Sequence, residues 1–189
     1  ALMPPGALRV GAAVVLLAPT VPLLFMGEEW AASTPWQFFT DHADPDLAQA
    51  VRDGRRREFA QFLREHGEVP DPQDPDTMRR SCLDWAERER AEHAAMLDWH
   101  RRLIAYRAAR PELRDGSRCA VRFDEEACWL TAERHGIVLA INASAERRRV
   151  PLTPAEETPH VALASEDGVR LEGPEVVLPP WSVAVLEPG

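Results

Sequence analysis

PTVPLLFMGEEW, residues 19–30, is the stretch on which the reading of the fold turns. Val21 to Met26 is an apolar run bounded by Pro22 and Gly27, the pattern of a strand buried on both faces of a parallel sheet. Ahead of it, Ala7 to Ala18 reads as a helix: Leu8, Ala12, Val15 and Leu16 fall near helical spacing, and Pro19 ends it. A helix followed by a buried strand predicts an α/β layer. The apolar stretch from Ala7 to Met26 also has the length of a membrane span, about 20 residues. Pro19 and Pro22 would each remove a backbone donor deep in lipid, and Gly27-Glu28-Glu29 follows with no signal-peptide cleavage chemistry, so no membrane partner is expected.

After the strand comes GEEWAASTPWQFFTDHAD, Gly27 to Asp44, an aromatic and acidic loop. Proteins with parallel sheets place their ligands beyond the carboxyl ends of strands. Glu28, Glu29, Trp30, Trp36, Phe38, Phe39, Asp41 and His42 all fall there. Carboxylates accept hydrogen bonds from hydroxyls, and flat rings offer apolar faces to C–H groups, so these residue types suit a carbohydrate. The competing expectation is that the rings pack the loop down while the acids cap helices or pair with Arg. Glu28 and Glu29 do not form a glycosidase pair by themselves, because neighbours in an extended segment point to opposite sides. Asp41-His42 lacks further ligands at a metal-binding spacing, so loop hydrogen bonding is expected there, with no metal and no cofactor.

Asp44-Pro45 carries the signature of an N-cap with Pro at the first helical position. Leu47, Val51, Phe59, Phe62 and Leu63 then give an apolar face up to His66, with Gly54 a candidate break. Arg55-Arg56-Arg57 reads as a solvated face pairing with Asp53 and Glu58. Gly67 to Thr77, with Pro70, Pro72 and Pro75, is expected to be an extended surface connection. A long helix from about Arg88 to Arg110 has Met96, Trp99, Leu103 and Tyr106 on its stripe, widened by Leu97 and Ile104, and Pro111 terminates it.

Beyond Pro111 the period changes from 3.6 to 2, which places a domain boundary near Leu113 to Gly116. Strands are expected at Arg118 to Phe123, Ala127 to Glu133, Gly136 to Ala143, Arg147 to Leu152, His160 to Ala164, Glu175 to Leu178 and Trp181 to Leu186. Their spacing predicts an antiparallel β-sandwich. In the first hairpin Phe123 is expected opposite Ala127, and Arg122 opposite Cys128. Cys119 then faces Thr131, leaving both thiols unpaired and buried.

With 189 residues, 45% hydrophobic and 28% charged, the composition is that of a globular protein. Twenty-two basic residues, all Arg, stand against thirty-one acidic ones for a net charge of -9, and no basic stripe would hold phosphates, so nucleic acid is not an expected partner. Three cysteines without CxxC spacing indicate neither a disulfide framework nor a zinc site, and the default compartment is a reducing cytoplasm.

PTVPLLFMGEEW resembles the segment that forms the eighth barrel strand and its following loop in the α-amylase superfamily of glycoside hydrolases. ASTPWQFFTDH, GRRREF, VPDPQDP at Val69 to Pro75 and SCLDW at Ser81 to Trp85 resemble, in collinear order, the malto-oligosyltrehalose trehalohydrolase family, with Cys82 standing where a basic residue is expected. The resemblance implies that residues 1–112 are the C-terminal part of a (β/α)8 TIM barrel, with its last strand and helices, and that residues 113–189 are a C-terminal antiparallel β-sandwich domain. It also implies hydrolysis of an α-1,4-glucosidic bond that releases trehalose from maltooligosyl trehalose or a related α-glucan. Glu28, Trp30, Phe39, Asp41 and His42 are then the substrate-binding candidates. The family's nucleophile, acid/base and transition-state carboxylates lie on motifs before anything that matches Ala1, so no catalytic residue is assigned and a missing N-terminal barrel portion is expected as partner. The alternative is a stand-alone carbohydrate-binding or protein-interaction fragment without catalytic activity. Against a binding module, the β part holds only Phe123, Trp129 and Trp181 as large aromatics.

Overall fold

The computed structural model describes residues 3–60, 69–154 and 157–189. Among these lie the helices α1 (Pro5–Leu17), α2 (Pro45–Glu58), α3 (Pro75–Arg80) and α4 (Ala91–Ala108). The strands are β1 (Ala120–Asp124), β2 (Trp129–Arg134), β3 (Ile137–Asn142), β4 (Arg148–Pro151), β5 (His160–Ala164), β6 (Arg170–Glu172), β7 (Glu175–Leu178) and β8 (Ser182–Glu187). They fall into two compact units, one of Ala1–Ala31 with Arg88–Gly189 and one of Ala32–Glu87.

In the first unit every strand pairing is antiparallel, in a five-stranded sheet ordered β1-β2-β3-β8-β5 and a three-stranded sheet ordered β4-β7-β6. One face of the larger sheet, through Leu139, Ile141, Val183 and Val185, joins a core with Ala12, Ala13, Leu16 and Leu17 of α1 and Met96, Trp99 and Leu103 of α4. The other face, through Ala140, Ala184 and Leu186, packs on Val150, Val176 and Leu178 of the smaller sheet. Because both faces are covered, β3 and β8 read as continuous apolar runs where a half-exposed strand would alternate.

The expected sandwich is present, preceded by the expected helical segments. The α4 stripe of Met96, Trp99, Leu103 and Tyr106 is buried, while Ile104 is exposed at 46% because α4 is covered on one side only. Asp44 caps α2 as expected, accepting the N–H groups of Asp46 at 2.9 Å and Leu47 at 3.3 Å. Gly54 does not break α2, and a Cβ there would meet nothing within 4 Å. Phe62, Leu63, His66 and Gly67 lie outside the described residues.

Four expectations are corrected. Val21 to Met26 forms no strand, and Val21 and Leu23 are exposed at 93% and 87%. A strand exists only as one side of a hydrogen-bonded ladder, and the described residues give this segment no partner strand. The connection before Thr77 is not extended throughout, since α3 starts at Pro75 behind an Asp74 cap. The first hairpin pairs Phe123 with Leu130 and Arg122 with Thr131. Its turn takes four residues because Asp124 Oδ1 accepts the Ala127 N–H at 2.8 Å and Cys128 turns at φ 56°. Cys82, Cys119 and Cys128 are free, but Cys82 and Cys128 are exposed and Cys119 half-buried. Among the described residues no helix is long and apolar enough to cross a membrane.

Polar side chains fasten the helices to the sheet. Arg107 of α4 donates to the carbonyls of Leu16, Ala18 and Thr20 at 2.7, 3.1 and 2.9 Å, placing a cation on the negative end of α1. Tyr106 Oη donates to Glu187 Oε1 of β8 at 2.7 Å, and Arg110 binds the same carboxylate oxygen while its guanidinium lies 3.8 Å over the Tyr106 ring. Arg110 holds the Glu187 carboxyl below its ordinary value, with help from Tyr106. Burial, reinforced by the Glu187 hydrogen bond and charge, pushes the Tyr106 phenol up.

Two predictions follow from this packing. A Cβ on Gly6 of α1 would stand 2.8 Å from Trp181 Cβ, whereas one on Gly11 meets nothing within 4 Å. Gly6→Ala is expected to destabilise by about 1–3 kcal/mol, and Gly11→Ala to stabilise by about 0.5–1 kcal/mol, both read by urea unfolding; equal effects would contradict the packing of α1. A carboxyl with a depressed folded pKa stabilises above its unfolded value, here 4.5, and that stability is lost as pH falls through the folded value. Glu187→Gln should therefore flatten the fall of melting temperature below pH 4.5.

Candidate functional site

The expected site residues divide between the two units. Glu28 and Trp30 belong to the first, in a 3₁₀ turn (Glu28–Trp30) set between two left-handed residues, Gly27 at φ 85° and Ala31 at φ 54°. Glu28 is half-buried, and its Oε2 accepts the Phe25 N–H at 3.0 Å, so the carboxylate braces the turn. Trp30 is 1% exposed and the turn packs on α4. The Trp30 carbonyl lies 2.8 Å from Nδ1 of buried His93. A carbonyl only accepts, so Nδ1 is the donor in this bond.

Phe39, Asp41 and His42 belong to the second unit. Their loop is stitched along its length to the segment that carries α3. The Ser33 N–H donates to Glu87 Oε2 at 3.0 Å, and the Ser33 hydroxyl binds the other oxygen of that carboxylate. The Gln37 N–H donates to Ser81 Oγ at 3.1 Å, and the Thr40 N–H to the Pro72 carbonyl at 2.8 Å. Gln73 closes the last joint, its Oε1 accepting the His42 N–H at 3.2 Å and its Nε2 donating to Thr40 Oγ1 at 2.8 Å. Asp71, bound by Arg52 Nε through both oxygens at 3.0 and 2.9 Å, ties α2 to the same segment.

The backbone is fixed, yet the rings stay outside: Trp36, Phe38 and Phe39 are exposed at 49%, 41% and 38%. Arg55 lies 4.7 Å over the Phe38 ring and 4.2 Å over that of Phe59, so the basic triplet spends its first member on aromatic faces as well as on Glu58. Trp36 and Phe39 lie together, centroids 5.8 Å apart and planes inclined by 39°. Asp41 is exposed and His42 half-buried. Among the described residues no group of three or more His, Cys, Asp or Glu side chains is arranged to hold a metal ion.

Sequence reasoning found the loop but not its fastenings. Glu87, 2% exposed, and Ser81, 5% exposed, give no sign of burial in the sequence. The Asp74-Pro75 cap was passed over as part of an extended connection, although it repeats the Asp44-Pro45 signal that could have found it. Gln73→Ala removes both of that residue's loop bonds, and the His42 amide should then exchange with solvent about tenfold faster while β3 amides are unchanged; an unaltered His42 rate would show that the loop does not depend on this joint.

Comparison with known proteins places these features. Residues 114–185 match the domain of unknown function DUF3459. A malto-oligosyltrehalose trehalohydrolase of Rhizobium sp. (strain M-11) is 45% identical over 97% of this chain, which covers 30% of that relative. A crystal structure from Salmonella typhimurium, provisionally described as an alpha amylase, superposes on 96% of this chain and 30% of its own with a TM-score of 0.75 at 34% identity. The alpha-amylase of H. orenii shares the fold over 97% of this chain and 36% of its own, with a TM-score of 0.56 at 15% identity. The fold class is accordingly that of the C-terminal region of α-amylase-fold proteins, helices followed by an antiparallel β domain. Over 97% of its length the chain is thus similar to a malto-oligosyltrehalose trehalohydrolase, and it spans 30% of that relative's length.

Proposed function

We propose that the chain is part of a cytoplasmic glycoside hydrolase that cleaves an α-1,4-glucosidic bond of maltooligosyl trehalose and releases trehalose. What carries this reading is the 45% identity, over 97% of the chain, to an enzyme of that name. Residues 1–112 contribute the end of the catalytic barrel and residues 113–189 the sandwich behind it. The reacting carboxylates come from the part of the relatives' length that this chain does not span. Within that enzyme Phe39, Asp41 and His42 face the sugar chain, Glu28 fixes the turn that starts the loop and hydrogen-bonds at the cleft, and Trp30 anchors the turn from inside. No cofactor takes part, since hydrolysis by opposed carboxylates needs none.

Support for the loop's role is its combination of a tethered backbone with exposed rings and a free-standing carboxylate at Asp41. Such a group contributes to catalysis by positioning the sugar.

The purified 189-residue chain should release no trehalose. Joined to the remainder of a relative's length it should, and in that enzyme Phe39→Ala and Asp41→Asn should each lower kcat/KM by roughly 1–3 kcal/mol of transition-state binding, with thermal unfolding nearly unchanged. Full activity in both variants, or loss only through unfolding, would make the loop scaffold and the assignment wrong.

A further inference from the structure

We propose that the outer edge of β1 pairs with β1 of a second copy of this chain, antiparallel and about a two-fold axis at Val121, so that two five-stranded sheets become one. The inference concerns assembly and stands whether or not the reaction proposed above is correct.

A strand at the margin of a sheet presents a row of unpaired N–H and C=O groups, and proteins blunt such margins with bulges, prolines or very short strands. Among the described strands, β1 and β5 bound the larger sheet and β4 and β6 the smaller. β5 breaks register between Val161 and Leu163, β4 ends in Pro151, and β6 has three residues. β1 has none of these devices. Its five residues hold unbroken register with β2, contain no proline and are all exposed. Val121 and Phe123 keep 52% and 61% of their surface in water. An open edge of this kind takes a further strand through its main chain, and its side chains decide which one.

Those side chains select the strand itself. Val121 and Phe123 lie opposite Ala132 and Leu130, which pack against the core that α1 and α4 share with the sheet. Side chains alternate between faces, so Cys119, Val121 and Phe123 take that side and Arg118, Ala120, Arg122 and Asp124 the other. A two-fold axis at Val121 sets Val121 against itself and Cys119 against Phe123 of the second copy, making one apolar stripe. On the other face it sets Arg118 against Asp124 of the second copy, twice by symmetry. Asp124 Oδ1 is committed to the Ala127 N–H at 2.8 Å, which leaves Oδ2 for that pair. Neighbouring registers are worse. An axis at Arg122 sets Arg122 against itself, and one at Ala120 sets Arg118 against Arg122, like charges in both cases.

The test is sedimentation equilibrium of the 189-residue chain from about 1 μM to about 1 mM, where a monomer–dimer equilibrium is expected. Val121→Arg brings two like charges together on the axis and should weaken the dimer roughly tenfold or more, with the melting temperature of the wild type. A second readout fixes the register. With Cys82 and Cys128 replaced by Ser, Val121→Cys places two thiols on residues about 5.5 Å apart between Cα atoms, within disulfide reach, and mild oxidation should trap a dimer. Arg122→Cys in the same background faces Ala120 and should trap none. A chain that stays monomeric throughout, wild-type dimerisation in Val121→Arg, or equal trapping at Arg122 and Val121 would each overturn the proposal. Monomeric chain with β1 amides protected from exchange only in the joined enzyme would overturn it too, and would assign the edge to the rest of that enzyme.

Discussion

The first unit depends on one constraint: β3 and β8 have no face in water. Leu139, Ile141, Val183 and Val185 on one side and Ala140, Ala184 and Leu186 on the other each need apolar cover. The smaller sheet covers one side, and α1 with α4 covers the other, although α1 lies about ninety residues before α4 in the chain, as the bond from Trp99 Nε1 to the Arg9 carbonyl illustrates. The cost of closing so long a loop grows only slowly with its length. The 56-residue segment between Ala32 and Glu87 is therefore a tolerable insertion between two helices that meet on the same sheet.

That segment is built on different physics. Its buried residues among those described are Ala48, Pro72, Thr77, Ser81 and Glu87, a set with little apolar surface. Order comes instead from side chains that answer backbone groups: Thr77 Oγ1 donates to the Asp71 carbonyl at 2.7 Å, and Ser81 Oγ donates to the Thr77 carbonyl at 3.0 Å while accepting from Gln37. Each such bond is modest in net terms, about 0.5–1.5 kcal/mol, but leaving a buried partner unmade costs more. The arrangement holds a loop in shape without drawing its rings inward.

The sequence was most legible where periodicity is strong and partners are local. The α4 stripe, the Asp44 cap and seven of the eight strands could be read because helical and alternating spacing are intrinsic to the chain. β6, three residues long, carries too little pattern to register. The hairpin slipped by three positions because a four-residue turn closed by Asp124 cannot be told from a shorter one by composition. Val21 to Met26 misled for a different reason: apolarity signals what a segment seeks, while strand formation requires a partner to be at hand. Within the site, residue types disclosed the aromatic loop, but not that Trp30 goes inside while Trp36 stays out.

That last contrast follows from where each tryptophan leaves its backbone. Trp30 ends a 3₁₀ turn that packs against α4, and with His93 bonded to its carbonyl the turn sits directly over an apolar helix face. Its ring gains cover without any further folding of the loop. Trp36 follows Pro35, which fixes the local path, and precedes Gln37, whose N–H is committed to Ser81 at 3.1 Å. The segment to which the loop is tied offers Ser81, Thr77 and the Gln73 amide, polar groups already committed to hydrogen bonds. Polar stitching thus decides which aromatic is structural and which is presented, since the groups that order the loop are the ones that cannot shelter its rings.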